Sequence, residues 1–150
     1  DAGSVLDAEA RRRRVDLRLR PSSTPLATVA DPVQIQQVLI NLVLNAMDAV
    51  ADQPEERRTV VVSVAPSAAG SVVEVRDSGP GIAAEHLPQL FDPFFTTKRS
   101  GMGLGLPIAR TVVQAHGGRI WAASPAGAGA VLRVELPLAT PGHGDAPEGA

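Results

Sequence analysis

Apolar residues recur at three- and four-residue spacing through residues 31–50: Ile35, Val38, Leu39, Leu42, Val43, Ala46, Met47 and Val50. That period predicts a long helix with one wide apolar face. Asp31 and Pro32 suit its N-terminus. The same helix carries a second, narrow stripe of Gln34, Gln37, Asn41, Asn45 and Asp48. A solvated helix face is ordinarily built from Lys, Glu and Arg, whereas this one has amides and a single acid. Two readings stay open from the pattern alone. The amides hold a metal-bound water shell or a polar ligand, or they belong to a half-buried helix and are satisfied by backbone.

Shorter elements flank this helix. Residues 4–14 predict a short helix whose last turn is the run Arg11 to Arg14; these are solvated cations that suit the negative end of the helix dipole, with a basic patch for an anionic partner as the alternative reading. Val15, Leu17 and Leu19 alternate with Asp16, Arg18 and Arg20, as in a half-buried strand. Residues 21–25 read as a turn and 26–29 as a second short strand. Residues 51–58 read as a polar loop in which Pro54 bars helix. Residues 59–65 and 71–76 are β-rich runs around a turn, an antiparallel hairpin. Residues 83–90 form a short helical piece. A last helix spans 107–116, with Ile108, Val112 and Ala115 marking its apolar face and glycine at 117–118 as its cap. Strands follow at 119–123 and 130–136. Residues 139–150 are rich in Gly, Pro and Ala without periodicity, a flexible tail or linker. The expected organisation is one domain over 1–139 and a tail over 140–150, with no internal repeat.

Composition narrows the function classes. The 150 residues suffice for one full core. A net charge of −2 gives no electrostatic case for nucleic acid. The sequence has no cysteine, which excludes disulfides and thiolate metal sites and fits a reducing compartment. No apolar run reaches membrane-spanning length, and no signal peptide is visible. The first residue is Asp1 rather than Met, which points to a piece of something longer. With three Phe, one Trp and no Tyr, the core must be aliphatic. Lys98 is the only lysine, so its position is informative.

Candidate chemistry sits in three further stretches. Asp77-Ser78-Gly79-Pro80-Gly81-Ile82 directly follows a strand and offers one carboxylate beside two glycines. Glycine allows close backbone approach to a planar ligand, and a buried Asp can accept hydrogen bonds from an amino group; ordinary turn chemistry explains the same residues. Residues 91–99 concentrate Phe91, Phe94, Phe95 and Lys98. The phenylalanines suit a plug that anchors a loop. Lys98 is either a phosphate contact or a solvated lysine. The run Gly101 to Leu106 feeds a helix N-terminus, where free N–H groups and the dipole favour an anion. It is neither a Walker A nor a dinucleotide-binding pattern.

In order and spacing, NLVLNAMDA (41–49), DSGPGI (77–82), LFDPFFTTK (90–98) and GMGLGL (101–106) together resemble the N box, first glycine box, F box and second glycine box of sensor histidine kinases. Residues 116–120 and 129–137 are similar to the strands that follow these boxes, so the resemblance covers about residues 4–139. The short stretch between Lys98 and Gly101 is similar to the nitrogen- and oxygen-sensing subgroup with compact lids. The resemblance implies the Bergerat (GHKL) fold: an α/β (α+β) two-layer sandwich with a mixed, mostly antiparallel sheet and helices on one face. It implies ATP and Mg2+ as ligands. Asn45 would hold the metal, and Asn41 and Lys98 would act at the phosphates. Asp77 would accept from the adenine amino group, with Gly79, Gly81 and Ile82 against the ring. Asp48, Phe95, Thr96 and Thr97 would line the site. Gly101, Met102, Gly103, Leu104, Gly105 and Leu106 would wrap the phosphates. The implied activity is transfer of the γ-phosphoryl group to a histidine on a separate dimerisation and phosphoacceptor domain, with a response regulator engaged indirectly. No nucleic acid or membrane contact by this domain is implied, and the location is cytoplasmic, with a parent protein free to be membrane-anchored.

Departures from the family pattern are few. Many relatives carry a basic residue where this chain has Asp48, which shifts phosphate neutralisation onto Lys98 with Arg99. Ala130 stands where Thr is common, and Pro107 where Ser or Ala is. None of His86, His116 and His143 is followed by an acidic residue, so none has the acceptor context. The chain is therefore expected to bind Mg-ATP with little autophosphorylation alone. Two alternatives are an ATPase of the same superfamily and a degenerate regulatory module that binds nucleotide. The ATPases place Glu where this chain has Asn41, and an amide cannot take a proton from water, which favours transfer.

Overall fold

The structure is a computed structural model that describes residues 2–20, 32–92, 105–125 and 129–137. Helix α1 (Ala2–Arg13) leads into strand β1 (Asp16–Arg20), and the long helix α2 (Pro32–Ala49) follows. Strands β2 (Thr59–Pro66) and β3 (Gly70–Asp77) come next, then helix α3 (Gly105–Ala115), β4 (Arg119–Ala123) and β5 (Ala130–Pro137). Among the described residues two 3-10 helices interrupt the loops, the single turn Glu55–Arg57 and the six-residue Ala84–Gln89. The expected strand at 26–29 and the tail fall outside the described residues.

The five strands form one sheet in the order β1-β2-β3-β5-β4. Only β1 and β2 run parallel; the other three pairs are antiparallel. Strand alternation sorts the two faces. Val60, Val62, Val73, Val75, Leu132, Val134 and Leu136 point to the helical layer. On the other face Glu74 pairs with Arg76 and Arg133, and Arg119 pairs with Glu135. The sheet is mixed and mostly antiparallel with helices on one side, the Bergerat sandwich.

Helix α2 is the centre of the helical layer. Val38, Leu42, Val43, Ala46, Met47 and Val50 are buried in one cluster with sheet residues, as its periodicity predicts. α3 packs along it on a face shifted from the expected one: of Ile108, Val112 and Ala115, only Val112 packs against the core. Leu106, Ala109 and Val113 turn toward the core, while Ile108 is 52% exposed and Ala115 is exposed. The helix starts at Gly105 rather than 107, and Ala109 is fully buried. Sequence period alone does not choose between two apolar stripes about 100° apart. Leu19 also departs from the alternation: at 57% exposed it lies at the far end of edge strand β1, whose main neighbours are β2 and α1.

Two helices end by the same backbone device with different residues. In α3 the Gly118 N–H reaches the Val113 carbonyl and the Gly117 N–H the Gln114 carbonyl, with Gly117 at φ 77°. In α1 the Val15 N–H reaches the Ala10 carbonyl and the Arg14 N–H the Arg11 carbonyl. The left-handed residue there is Arg14, at φ 57°. Left-handed geometry costs a non-glycine L-residue about 1–2 kcal/mol. The Arg14–Glu55 ion pair is exposed and offsets little of it. Arg14→Gly is therefore expected to leave stability unchanged or raise it by up to about 1 kcal/mol, and Arg14→Val to lower it by about 1 kcal/mol or more. Urea denaturation of the two variants checks this, and the reverse order would show that Arg14 is held by something other than the helix cap.

Candidate functional site

Asp77 is the last residue of β3, on the helix-facing side, paired across the sheet with Val60 on β2 and Ala130 on β5. It is buried, and the core around it is aliphatic. Its Oδ1 accepts two backbone hydrogen bonds, from the Gly79 N–H at 2.8 Å and the Ala130 N–H at 3.3 Å. Among the described residues its Oδ2 has no protein donor. Burial pushes the Asp77 carboxyl above its ordinary value, and the two N–H donors pull it back only in part. The result is a buried acceptor with one oxygen fixed and the other open to an amino group.

The turn after Asp77 is fastened on three sides. Ser78 Oγ accepts from the Thr59 N–H at 2.9 Å, binding the turn to β2, and it donates to the Arg57 carbonyl. Gly79 packs against the end of α2: a Cβ there would stand 2.6 Å from the Ala49 carbonyl oxygen. The Ile82 N–H donates to Ser124 Oγ at 2.7 Å. The glycine at position 79 thus has an internal reason to be glycine, a close approach to α2, in addition to any approach by a ligand.

Asn41 and Asn45 are half-buried on the polar stripe of α2. Asn45 precedes Ala49 by four residues, about 6 Å along the helix axis, so the Gly79–Ala49 contact places the Asn45 turn beside the Asp77 turn. Their amide oxygens are hard, neutral donors, which suit a small divalent cation that keeps water and phosphate oxygens as its other ligands. Among the described residues no group of three or more His, Cys, Asp or Glu side chains could hold a metal by itself. That donor chemistry fits Mg2+ brought in with a nucleotide.

Asp48, expected to line the site, is engaged by α1: Arg13 Nη1 lies 2.7 Å from its Oδ1. Arg13 also binds Glu9 at 2.6 Å, and Glu9 pairs with Arg12 as well. Those hydrogen bonds, first from Arg12 and then from Arg13, hold the Glu9 carboxyl down at about 2. The arginine run expected to be merely solvated is in part a clamp between α1 and α2. Gly105 and Leu106 begin α3, so the glycine run does lead into a helix N-terminus. Phe95, Thr96, Thr97, Lys98, Gly101, Met102, Gly103 and Leu104 lie outside the described residues. A surface cavity of about 430 Å3 lined by Arg14, Val15, Asp16, Glu55 and Glu56 contains none of the candidate residues.

Sequence reasoning missed Ser124, Gly129 and the Ala130 backbone. Ser124 Oγ donates to the Gly129 carbonyl at 3.0 Å while accepting from Ile82. Gly129 has φ 73°, and a Cβ there would collide with the Asp77 carbonyl oxygen. These residues sit in a Pro/Gly-rich turn whose composition signals only a turn.

The family described as histidine kinase-, DNA gyrase B-, and HSP90-like ATPase matches residues 30–140. Sensor protein FixL of Bradyrhizobium diazoefficiens is 46% identical over 140 residues, which is 93% of this chain and 27% of that protein. The chain thus spans about a quarter of that relative's length. The catalytic domain of histidine kinase ThkA superposes with a TM-score of 0.77 at 33% identity, covering 91% of this chain and 87% of that one. Full-length ShkA in complex with AMPPNP superposes with a TM-score of 0.78 at 27% identity, covering 93% of this chain and 29% of that one.

The raised Asp77 carboxyl has a consequence for stability. An aspartate whose folded value lies above its unfolded value binds its proton more tightly in the native state, so its ionisation destabilises the fold. That cost is absent below the unfolded value of about 3.9, grows as pH rises toward the folded value, and is constant above it. Asp77→Asn keeps the Oδ1 acceptor and removes the charge. Its stability relative to wild type is expected to climb from pH 3 to neutral pH and then level off, read by urea denaturation across that range. A difference that is flat with pH would show that Asp77 carries no net burial cost.

Proposed function

The chain belongs to the histidine kinase-, DNA gyrase B-, and HSP90-like ATPase family, and from that premise we propose that it binds Mg-ATP and donates the γ-phosphoryl group to a histidine on a separate dimerisation and phosphoacceptor domain. The observation that carries this reading is the buried Asp77 carboxylate, with Oδ1 saturated by Gly79 and Ala130 and Oδ2 open among the described residues. A buried acceptor of that kind selects an exocyclic amine, as adenine has at its six-position. Ile82 and Gly81 supply the backbone beside it.

Asn45 would hold the metal through its amide oxygen, one turn from where Ala49 meets Gly79. The metal supplies charge neutralisation on the phosphate oxygens when bound. Asn41 stands one turn earlier on the same stripe. Its amide has no basic lone pair with which to activate water, which supports transfer to a protein group over hydrolysis. Lys98 and residues 101–106 would neutralise and wrap the phosphates, the helix start at Gly105 adding N–H groups that have no partner within the helix. His116 is followed by Gly117 rather than an acid, and its Nδ1–H is turned back onto its own helix, donating to the Val112 carbonyl at 2.8 Å with no carboxylate among the described residues to orient the ring. This supports an acceptor histidine supplied by another domain, from which a response regulator would then take the phosphoryl group.

Calorimetric titration tests the two ligand roles separately. Asp77→Asn turns the open acceptor into a donor facing a donor. ATP affinity is expected to fall about ten- to hundredfold, with the fold intact. Asn45→Ala is expected to lower affinity for Mg-ATP about tenfold or more while leaving metal-free ATP binding nearly unchanged. Unchanged Mg-ATP affinity in Asn45→Ala, with unchanged phosphohistidine formation on a supplied acceptor domain, would remove Asn45 from the metal site.

A further inference from the structure

A closed ring of hydrogen bonds runs through the purine end of the site, and one side chain holds it shut. From Asp77 Oδ1 the ring passes to the Gly79 N–H at 2.8 Å and along the turn to Ile82. The Ile82 N–H donates to Ser124 Oγ at 2.7 Å, and Ser124 Oγ donates to the Gly129 carbonyl at 3.0 Å. The next residue, Ala130, returns its N–H to Asp77 Oδ1 at 3.3 Å. Every other link in this ring is backbone or Asp77 itself.

We propose that Ser124 is the positioning residue for Asp77: its hydroxyl locks the Gly129–Ala130 peptide and the 77–82 turn together, and so fixes which carboxylate oxygen faces the purine amino group. This inference rests on the reading of Asp77 as the adenine acceptor. The local geometry leaves the hydroxyl little freedom. A Cβ on Gly81, which has φ 88°, would stand 2.8 Å from Ser124 Oγ and 3.2 Å from the Gly129 carbonyl oxygen. The turn is therefore packed directly on the Ser124–Gly129 bond, and the left-handed backbone at Gly81 makes that approach possible. Gly129 in turn is packed so closely on the Asp77 backbone that no side chain fits between them.

Removing the hydroxyl strands two backbone groups, the Ile82 N–H and the Gly129 carbonyl. Each then seeks water or a new partner, and the Gly129–Ala130 peptide turns with it. Among the described residues the Ala130 N–H is one of the two donors that hold Asp77 Oδ1. With that donor displaced, the carboxylate can rotate about its terminal torsion, which is intrinsically soft, and Oδ2 no longer has a fixed direction. Ser124 touches no part of the nucleotide in this scheme; it acts through Asp77.

The test compares ATP with purine riboside triphosphate, which lacks only the six-amino group, on the full chain by calorimetry. Wild type is expected to prefer ATP by about tenfold or more. Ser124→Ala is expected to lower ATP affinity about tenfold and to bring the two ligands within about threefold of each other. Ser124→Thr, which keeps a hydroxyl, is expected to restore the preference. Ser124→Cys fills the same space with a poor hydrogen-bonding group and is expected to behave as the alanine variant does, so a folding defect in one leaves the other as the probe. A merely structural serine would weaken both ligands alike. A preserved ATP preference in a folded Ser124→Ala or Ser124→Cys protein would overturn the inference alone. Absence of any preference in wild type would overturn the Asp77 reading, and this inference with it.

Discussion

A carboxylate buried at the end of a core strand is the constraint around which the rest of the site is arranged. Taking an ionised carboxylate out of water costs several kcal/mol unless hydrogen bonds replace the solvent. Asp77 offsets part of this cost with two backbone donors, Gly79 just ahead in the chain and Ala130 across the sheet. The first requires the chain to curl back immediately after β3, which is what Asp at a turn start does locally. The second requires β5 to lie beside β3 in the register that pairs Asp77 with Ala130. A slip of one residue between these strands would remove the second donor and turn the whole inner face of β5 outward. Hydrophobic pairs such as Val75 with Leu132 and Val73 with Val134 oppose that slip. The aliphatic core thus fixes the electrostatics of the site.

The same logic aims the amide stripe of α2. Leu42, Val43, Met47 and Val50 are at most 1% exposed. Turning the helix by one residue, about 100°, would expose them and drive Asn41 and Asn45 into the sheet. Their burial therefore dictates where Asn45 points without any contact to Asn45 itself. Translation along the axis is limited at the helix end, where the Ala49 carbonyl abuts Gly79.

What the sequence disclosed follows from how local each signal is. The long helix was legible because its apolar period spans many turns, and the β2–β3 hairpin because both runs and their turn are contiguous. Asp77 was legible as a candidate because strand end, carboxylate and glycines are adjacent. The buried face of α3 was not, since Ile108 and Ala109 both begin plausible stripes and only packing against α2 chooses between them. Nor was the exposure of Leu19, which follows from its place at a sheet edge. Ser124 was the least accessible, because its partners are 42 residues earlier and 5 residues later, and serine in a Pro/Gly-rich turn carries no signal of long-range bonding. The roles of Lys98 and the residues around it rest on the resemblance alone.

The acid at position 48 shows how a tertiary contact alters an electrostatic argument made along the chain. Read as sequence, Asp48 places a negative charge one turn past Asn45, where it would repel phosphate. In the fold it lies against Arg13, which is also bound to Glu9, itself paired with Arg12. These four side chains carry two charges of each sign, so beyond about 10 Å in physiological salt the cluster presents little field. The repulsion is removed, yet no net attraction replaces it, because the Arg13 charge is spent on two carboxylates. A phosphate beside Asn45 would therefore need its charge balanced from outside this cluster, and Lys98, the one lysine in the chain, is the group that the resemblance puts forward. What α1 gains from the arrangement is mechanical: its last turn is tied to the last turn of α2, beside the Ala49 carbonyl on which the Asp77 turn rests.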